Sequence, residues 1–212
     1  MLDRVLRYVY LLLFFAVPLV MASWTSELFE FNKIMVIYGA SVIVFFLWGF
    51  KMILHKKIIL KKTPFDIPII LFLLAQILAT IFSIDFHTSL FGYYGRFNGG
   101  LISIIAYLIL YYGAVSNFQA SVVKRILLVS LAASGVAILW ALPGKFGHDL
   151  SCLLFAGRFD NSCWTDQFRP SERLFSFLGQ PNWYAQYLLI HFFLALYFLE
   201  GFFSRVTTRL WF

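Results

Sequence analysis

Six apolar stretches of roughly 17–20 residues, broken by short polar or glycine-rich segments, run along the chain at 5–22, 34–50, 67–83, 101–116, 126–142 and 183–199. At a rise of about 1.5 Å per residue, each approaches the roughly 30 Å of hydrocarbon in a bilayer. Lipid offers no partner for a free backbone N–H or C=O, so each stretch is predicted to be a helix. Pro18 lies inside the first and should kink it. Tyr8, Trp24, Trp48, Trp140 and Trp183 sit near the ends of the stretches, where an aromatic belt would lie. The pattern predicts an all-α, polytopic transmembrane helix bundle forming a single domain over 1–212, with outer loops at about 23–33, 84–100 and 143–181.

Composition narrows the class. Of 212 residues, 61% are hydrophobic and only 13% charged, where a soluble domain carries about 25% charge. With 26 phenylalanines, a chain of this size has more large apolar side chains than one soluble core can bury. A cytosolic enzyme, a disordered tail and a nucleic-acid-binding module are excluded.

Charge sets the orientation. With the N-terminus in the cytoplasm and six alternating spans, the inner segments hold eleven basic residues: Arg4, Arg7, Lys51, Lys56, Lys57, Lys61, Lys62, Lys124, Arg125, Arg205 and Arg209. Only three acids, Asp3, Asp66 and Glu200, accompany them. The outer segments hold six basic residues (Lys33, Arg96, Lys145, Arg158, Arg169, Arg173) against seven acids (Glu27, Glu30, Asp85, Asp149, Asp160, Asp166, Glu172). The inner side thus carries +8 and the outer side −1, which together make the formal +7 of the chain. The positive-inside rule accounts for the high basicity without any nucleic-acid partner. The first stretch resembles a signal peptide in its basic start, but it lacks a clear A-x-A site and is long enough to span, so it is expected to be a retained helix. The basic inner loops at 51–64 and 117–125 read as topology determinants touching anionic headgroups.

The outer loops carry the candidate chemistry. Cys152 and Cys163, the only cysteines, both fall in the third, with ten residues between them. Two cysteines on the outer side favour a disulfide over two unlinked thiols. His148 is the one nearby histidine, too few for a tetrahedral metal set, so neither a metal nor a cofactor is expected. In the second outer loop Gly92, Gly95, Gly99 and Gly100 punctuate Tyr93, Tyr94, Arg96, Phe97 and Asn98. Glycine content argues against a stable helix there and for a turn or re-entrant segment at the membrane surface. Two readings of Arg96 stand side by side: a side chain snorkelling to headgroups, and a guanidinium fork for a lipid phosphate. The third loop ends with Arg169 and Arg173, a glycine turn at Gly179, Pro181 near the first turn of the last span, and Asn182 as a candidate cap. That helix points its positive dipole end at the same region, which suits a negative group.

Residues 173–188, with Arg173, Gly179, Pro181, Asn182, Ala185, Tyr187 and Leu188 in place, resemble the R…G-x-P-N-x-x-A-x-Y-L signature of the O-antigen ligase and polymerase superfamily. The earlier run through Ser83, Asp85, Ser89, Gly92, Tyr94, Gly95, Arg96, Gly99 and Gly100 is similar to that family's segment after an early helix. The resemblance implies a bacterial inner-membrane, multi-pass glycosyltransferase of lipopolysaccharide or other polysaccharide biosynthesis at the cell envelope. Such an enzyme moves a glycan from undecaprenyl diphosphate to a lipid, saccharide or protein acceptor at the outer face. It also implies that Arg173 engages the lipid diphosphate with Arg96 as a second arginine, while Gly179 and Asn182 shape the turn into the last helix. Preorganised guanidinium groups would stabilise the charge that gathers on the diphosphate leaving group.

The chain departs from that family in length and in its histidines. Family members have ten or more spans and a late outer loop with a histidine, whereas here the run Arg209–Phe212 looks like the start of a further span. His55, His87, His148 and His191 do not fit the late histidine, and His191, within the last span, reads as an interhelical hydrogen bond, as do Gln76 and Gln186. The chain is therefore expected to be the N-terminal half of a larger enzyme, without catalysis on its own, and no catalytic residue is assigned. Alternatives from other classes are a transporter or flippase subunit for an anionic lipid-linked substrate and a non-catalytic scaffold. No inverted repeat or set of mid-membrane charges supports transport.

Overall fold

A computed structural model describes residues 1–25, 27–164 and 168–210, without the side chains of 202–210. Asp166 of the outer charge count, the side chains of Arg205 and Arg209 of the inner count, and Trp211 and Phe212 lie outside the described residues. Among the described residues the chain is all-helical: α1 (Leu2–Ala16), α2 (Glu30–His55), α3 (Asp66–Ile81), α4 (Phe86–Phe91), α5 (Leu101–Asn117), α6 (Ala120–Lys145), α7 (Leu150–Ala156) and α8 (Pro181–Leu210). Two 3-10 turns, Val17–Leu19 and Ser176–Leu178, complete it. The chain divides into two compact units, one comprising Met1–Leu13 and Val20–Arg125, the other Phe14–Leu19 and Ile126–Phe212.

Among the described residues two helices, α2 and α6, are long and apolar enough to cross a membrane by length and composition, each having 26 residues. The apolar helices α3 and α5 are shorter, at 16 and 17 residues, or about 24–26 Å at the α-helical rise. Pro18 does not kink a long first helix. The α-helix stops at Ala16 and the chain tightens into the 3-10 turn that contains the proline. Proline has no N–H to continue the ladder and crowds the residue before it, so the helix ends there. Two helices shorter than a span lie inside the expected outer loops. Asp85 caps α4 by accepting from the Thr88 amide at 3.1 Å, and Asp149 caps α7 by accepting from the Ser151 amide at 2.6 Å. At the other end of that loop, α6 runs through Pro143 to Lys145.

The first unit is built on α2 against α5. Small side chains make the approach possible, since Ser41, Ser103, Ala106 and Gly113 are all buried. Tyr10 of α1 is buried beside them and donates its hydroxyl to the Leu110 carbonyl at 2.6 Å. A Cβ on Gly113 would stand 2.6 Å from the Tyr10 hydroxyl and 2.7 Å from Val44 Cγ1, so only glycine fits at that crossing. In the second unit, α6 buries a stripe of small residues, Ser130, Ala133, Ser134, Ala137 and Ala141, at helical spacing. Hydrogen bonds tie it to α8 and to the second 3-10 turn, because the Ala137 carbonyl accepts from Ser176 Oγ at 2.7 Å and from the Tyr184 hydroxyl at 3.4 Å.

Candidate functional site

The segment leading into α8 folds around a single helical turn. The Arg169 carbonyl accepts from the amides of Glu172 and Arg173 at 3.0 and 2.9 Å, which stacks Arg169 and Arg173 on one side. The chain then passes through Ser176–Leu178 to Gly179, whose φ of +74° is left-handed backbone that glycine adopts at no steric cost. Pro181 follows as the first residue of α8. A cavity of about 440 Å³ opens here, lined by Arg169, Glu172, Arg173, Gln180, Pro181 and Asn182, with Phe168 and Phe175 as its apolar wall. All these residues belong to the second unit.

Asn182 does not cap α8. It occupies the second helical position, and its Oδ1 accepts from Arg173 Nη2 at 2.8 Å. Proline at the first helical position moves the cap back to Gln180, whose carbonyl receives the Tyr184 amide at 3.0 Å. Arg173 and Asn182 are thus brought together across the Gly179 turn, with Arg173 oriented by a neutral amide. Arg169 makes an ion pair with Glu172 at 3.1 Å.

The apolar wall is tied back into the third loop. Trp164, Phe168 and Phe175 form one aromatic cluster, with Trp164 and Phe168 meeting Phe175 edge-on at centroid distances of 5.0 and 5.5 Å. Trp164 donates its indole N–H to Asp149 Oδ2 at 3.1 Å. The neighbouring Cys163 is joined by a disulfide to Cys152, with Cα atoms 5.5 Å apart. The sequence reading names Arg173, Gly179 and Asn182 but misses Gln180 and the aromatic wall.

Arg96 lies in the first unit. The Tyr93 carbonyl accepts from the amides of Arg96 and Phe97 at 3.0 and 2.9 Å, so the loop closes as a turn. Gly92 has a φ of +94°, and a Cβ there would run into the backbone of Asn98. Tyr38 of α2 pins the turn by donating to the Phe97 carbonyl at 2.7 Å. The Arg96 guanidinium reaches Glu30 Oε1 at 3.2 Å and lies 5.8 Å from the centroid of the Tyr93 ring.

His191 and His148 are both hydrogen-bonded within the second unit. His191 is buried, its Nδ1 donates to the Tyr187 carbonyl at 2.8 Å, and its Nε2 shares a hydrogen bond with Ser130 Oγ at 2.9 Å. This is an interhelical bond between α6 and α8. His148 stacks on Phe159 and directs Nδ1 to the Phe159 carbonyl at 3.0 Å. Two loop carboxylates are held below the usual range: Asp85 by the Thr88 hydroxyl and amide, and Asp160 by those of Ser162.

No model of a protein family matches the chain, and neither does any curated protein or solved structure.

Proposed function

We propose that the chain is a multi-pass protein of a bacterial inner membrane that supplies part of a lipid-diphosphate site. In this reading it serves an O-antigen ligase-like or polymerase-like transfer of a glycan from undecaprenyl diphosphate to a lipid or glycan acceptor. One observation carries the reading: Arg169 and Arg173 line one cavity at the N-terminus of α8. A diphosphate fits that chemistry on three counts. Guanidinium forks pair with phosphate oxygens, helix N-termini favour anions, and the aromatic wall suits the first isoprene units. Gly179 sets the turn and Asn182 holds the Arg173 fork ready, so little is lost in ordering it on binding. Arg96 is paired with Glu30 in the first unit and is not among the residues that line this cavity. The Arg169–Glu172 pair limits what Arg169 adds and leaves Arg173 as the principal anchor.

The topology in this reading has six spans, with the N-terminus in the cytoplasm. The apolar helices and the +8 to −1 charge asymmetry support it. The shorter helices α1, α3 and α5 fit a bilayer that thins locally, with flanking aromatic and basic side chains reaching the interface.

The test is binding of undecaprenyl diphosphate to the purified chain in detergent micelles. Arg173→Ala should weaken binding at least about tenfold, the scale of one charge-assisted bidentate contact. Arg173→Lys should recover little of it, because a point charge does not reproduce the fork. Equal binding by all three proteins overturns the assignment.

A further inference from the structure

A second cavity lies in the first unit, far along the chain from the diphosphate site and sharing none of its residues. It is an apolar crevice of about 420 Å³, open on one side and walled by α3 and α5, where Ile70, Leu73, Ile105 and Leu108 face it. Trp48, Leu60, Asp66 and Tyr112 line it at the end near the α2–α3 connection. Asp66 is the one acidic residue in the lining, and its carboxylate is already occupied. It accepts from the Thr63 amide at 3.0 Å, the Thr63 hydroxyl at 2.5 Å and the Tyr112 hydroxyl at 3.0 Å.

A basic strap crosses that end. The backbone at 59–61 is fixed at both sides, since Trp48 Nε1 donates to the Ile59 carbonyl at 2.9 Å and the Lys61 amide donates to Ser116 Oγ at 3.1 Å. Lys56, Lys57, Lys61 and Lys62 are all exposed on it. An open apolar slot thus ends at Leu60, on a segment that carries four exposed lysines and whose backbone is fixed at Ile59 and Lys61. That combination matches an amphiphile with an anionic head and a hydrocarbon tail. A neutral lipid would make no use of the lysines, and a soluble anion would make no use of the slot.

We infer that this crevice is a binding site for an anionic phospholipid, with one acyl chain between α3 and α5 and the phosphate headgroup at Lys61 and Lys62. The site goes beyond the lipid-diphosphate reading and shares with it only the membrane setting.

The experiment uses the full chain purified in dodecyl maltoside micelles. Native mass spectrometry counts retained lipid after equal additions of dioleoyl phosphatidylglycerol or dioleoyl phosphatidylcholine. The wild-type chain should retain phosphatidylglycerol at least about fivefold better, the advantage expected for a single lysine at an anionic headgroup. Lys61→Ala with Lys62→Ala should bring phosphatidylglycerol down to the phosphatidylcholine level. Leu108→Trp fills the slot with both lysines intact and should lower phosphatidylglycerol retention by a similar factor. Ile70→Trp blocks it from the other wall and carries this arm if Leu108→Trp alters the size-exclusion profile. Equal retention of the two lipids by the wild-type chain, unchanged retention in the tryptophan variants, or unchanged selectivity in the lysine variant each overturns the proposal. The lysine and tryptophan variants should keep the wild-type affinity for undecaprenyl diphosphate, so failure here and failure of the diphosphate reading are distinguishable.

Discussion

Two glycine-flanked segments, one in each unit, present an arginine outside the long helices, and they treat it differently. Arg96 stands 3.2 Å from the carboxylate of Glu30 and close to the Tyr93 ring, in a turn pinned by Tyr38. Arg173 is oriented by the neutral amide of Asn182 at 2.8 Å and lines a cavity. A carboxylate neutralises a guanidinium and competes with any incoming anion. An amide fixes the geometry and leaves the positive charge whole. Similar sequence patterns, glycine near arginine near aromatic residues, therefore give a segment closed on its own acid and a segment prepared for someone else's.

Exchanging that neighbour should break the contrast with the largest effect. Asn182→Asp is nearly isosteric and places a carboxylate where the amide stands, so Arg173 acquires the kind of partner that Arg96 has. Affinity for undecaprenyl diphosphate in micelles should fall by about tenfold or more, with the helical signal in circular dichroism unchanged. Unaltered affinity would mean that the charge of the neighbour does not set the role of the arginine.

Next in size is the scaffold behind the second segment. Replacing Cys152 and Cys163 by serine opens a short closed loop, a loss of roughly 2–3 kcal/mol in the chain-entropy account. Trp164 adjoins Cys163 and packs on Phe175 in the cavity wall. Melting in detergent should therefore drop in the double variant, and diphosphate binding should weaken with it. Preserved binding despite a lowered melting temperature would separate the wall from the disulfide. For the first segment the expected numbers are smaller. The Arg96 side chain is 45% exposed, so its pair with Glu30 should show a coupling of about 0.2–1 kcal/mol in a double-mutant cycle with Arg96→Ala and Glu30→Ala. A larger coupling would mark Arg96 as a principal brace of the turn.

Helix positions were legible in the sequence wherever a long apolar run had clear stops. The stretch 101–116 falls on α5 (Leu101–Asn117), with Gly100 before it, and 67–83 falls on α3 (Asp66–Ile81). Hydropathy alone misplaced the end of α1, because it averages across Pro18 and ignores the missing N–H. It also passed over α4 and α7, whose six and seven residues are too short for a window, although Asp85 and Asp149 stand as N-cap residues before them. In the candidate site, Arg173 and Gly179 could be picked out by residue type. The pairing of Arg173 with Asn182 could not, since it depends on how far the Gly179 turn swings the chain. Placing Asn182 as a cap went wrong for a local reason: with Pro181 taken as the first helical residue, the cap belongs to the position before it.

The smallest expected effect lies at the front of the Arg96 segment, in the cap of α4. Asp85 accepts from the Thr88 hydroxyl at 2.5 Å and from the Thr88 amide at 3.1 Å, and these bonds, the hydroxyl first, hold its carboxyl below the ordinary 3.8. A group whose folded pKa is depressed contributes stability that is present above its unfolded pKa and is lost as pH falls through the folded value. The cap should therefore be intact at neutral pH and open only in acid, below the ordinary aspartate range. Thr88→Val removes the larger cause while leaving the amide, so the Asp85 pKa should rise toward 3.8 and the acid loss of Thr88 amide protection should begin at higher pH. A carboxyl-carbon NMR titration of Asp85 in both proteins measures this directly. If the two titrate together, the hydroxyl bond is not what lowers the pKa, and the fold of α4 owes its start to the backbone bond alone.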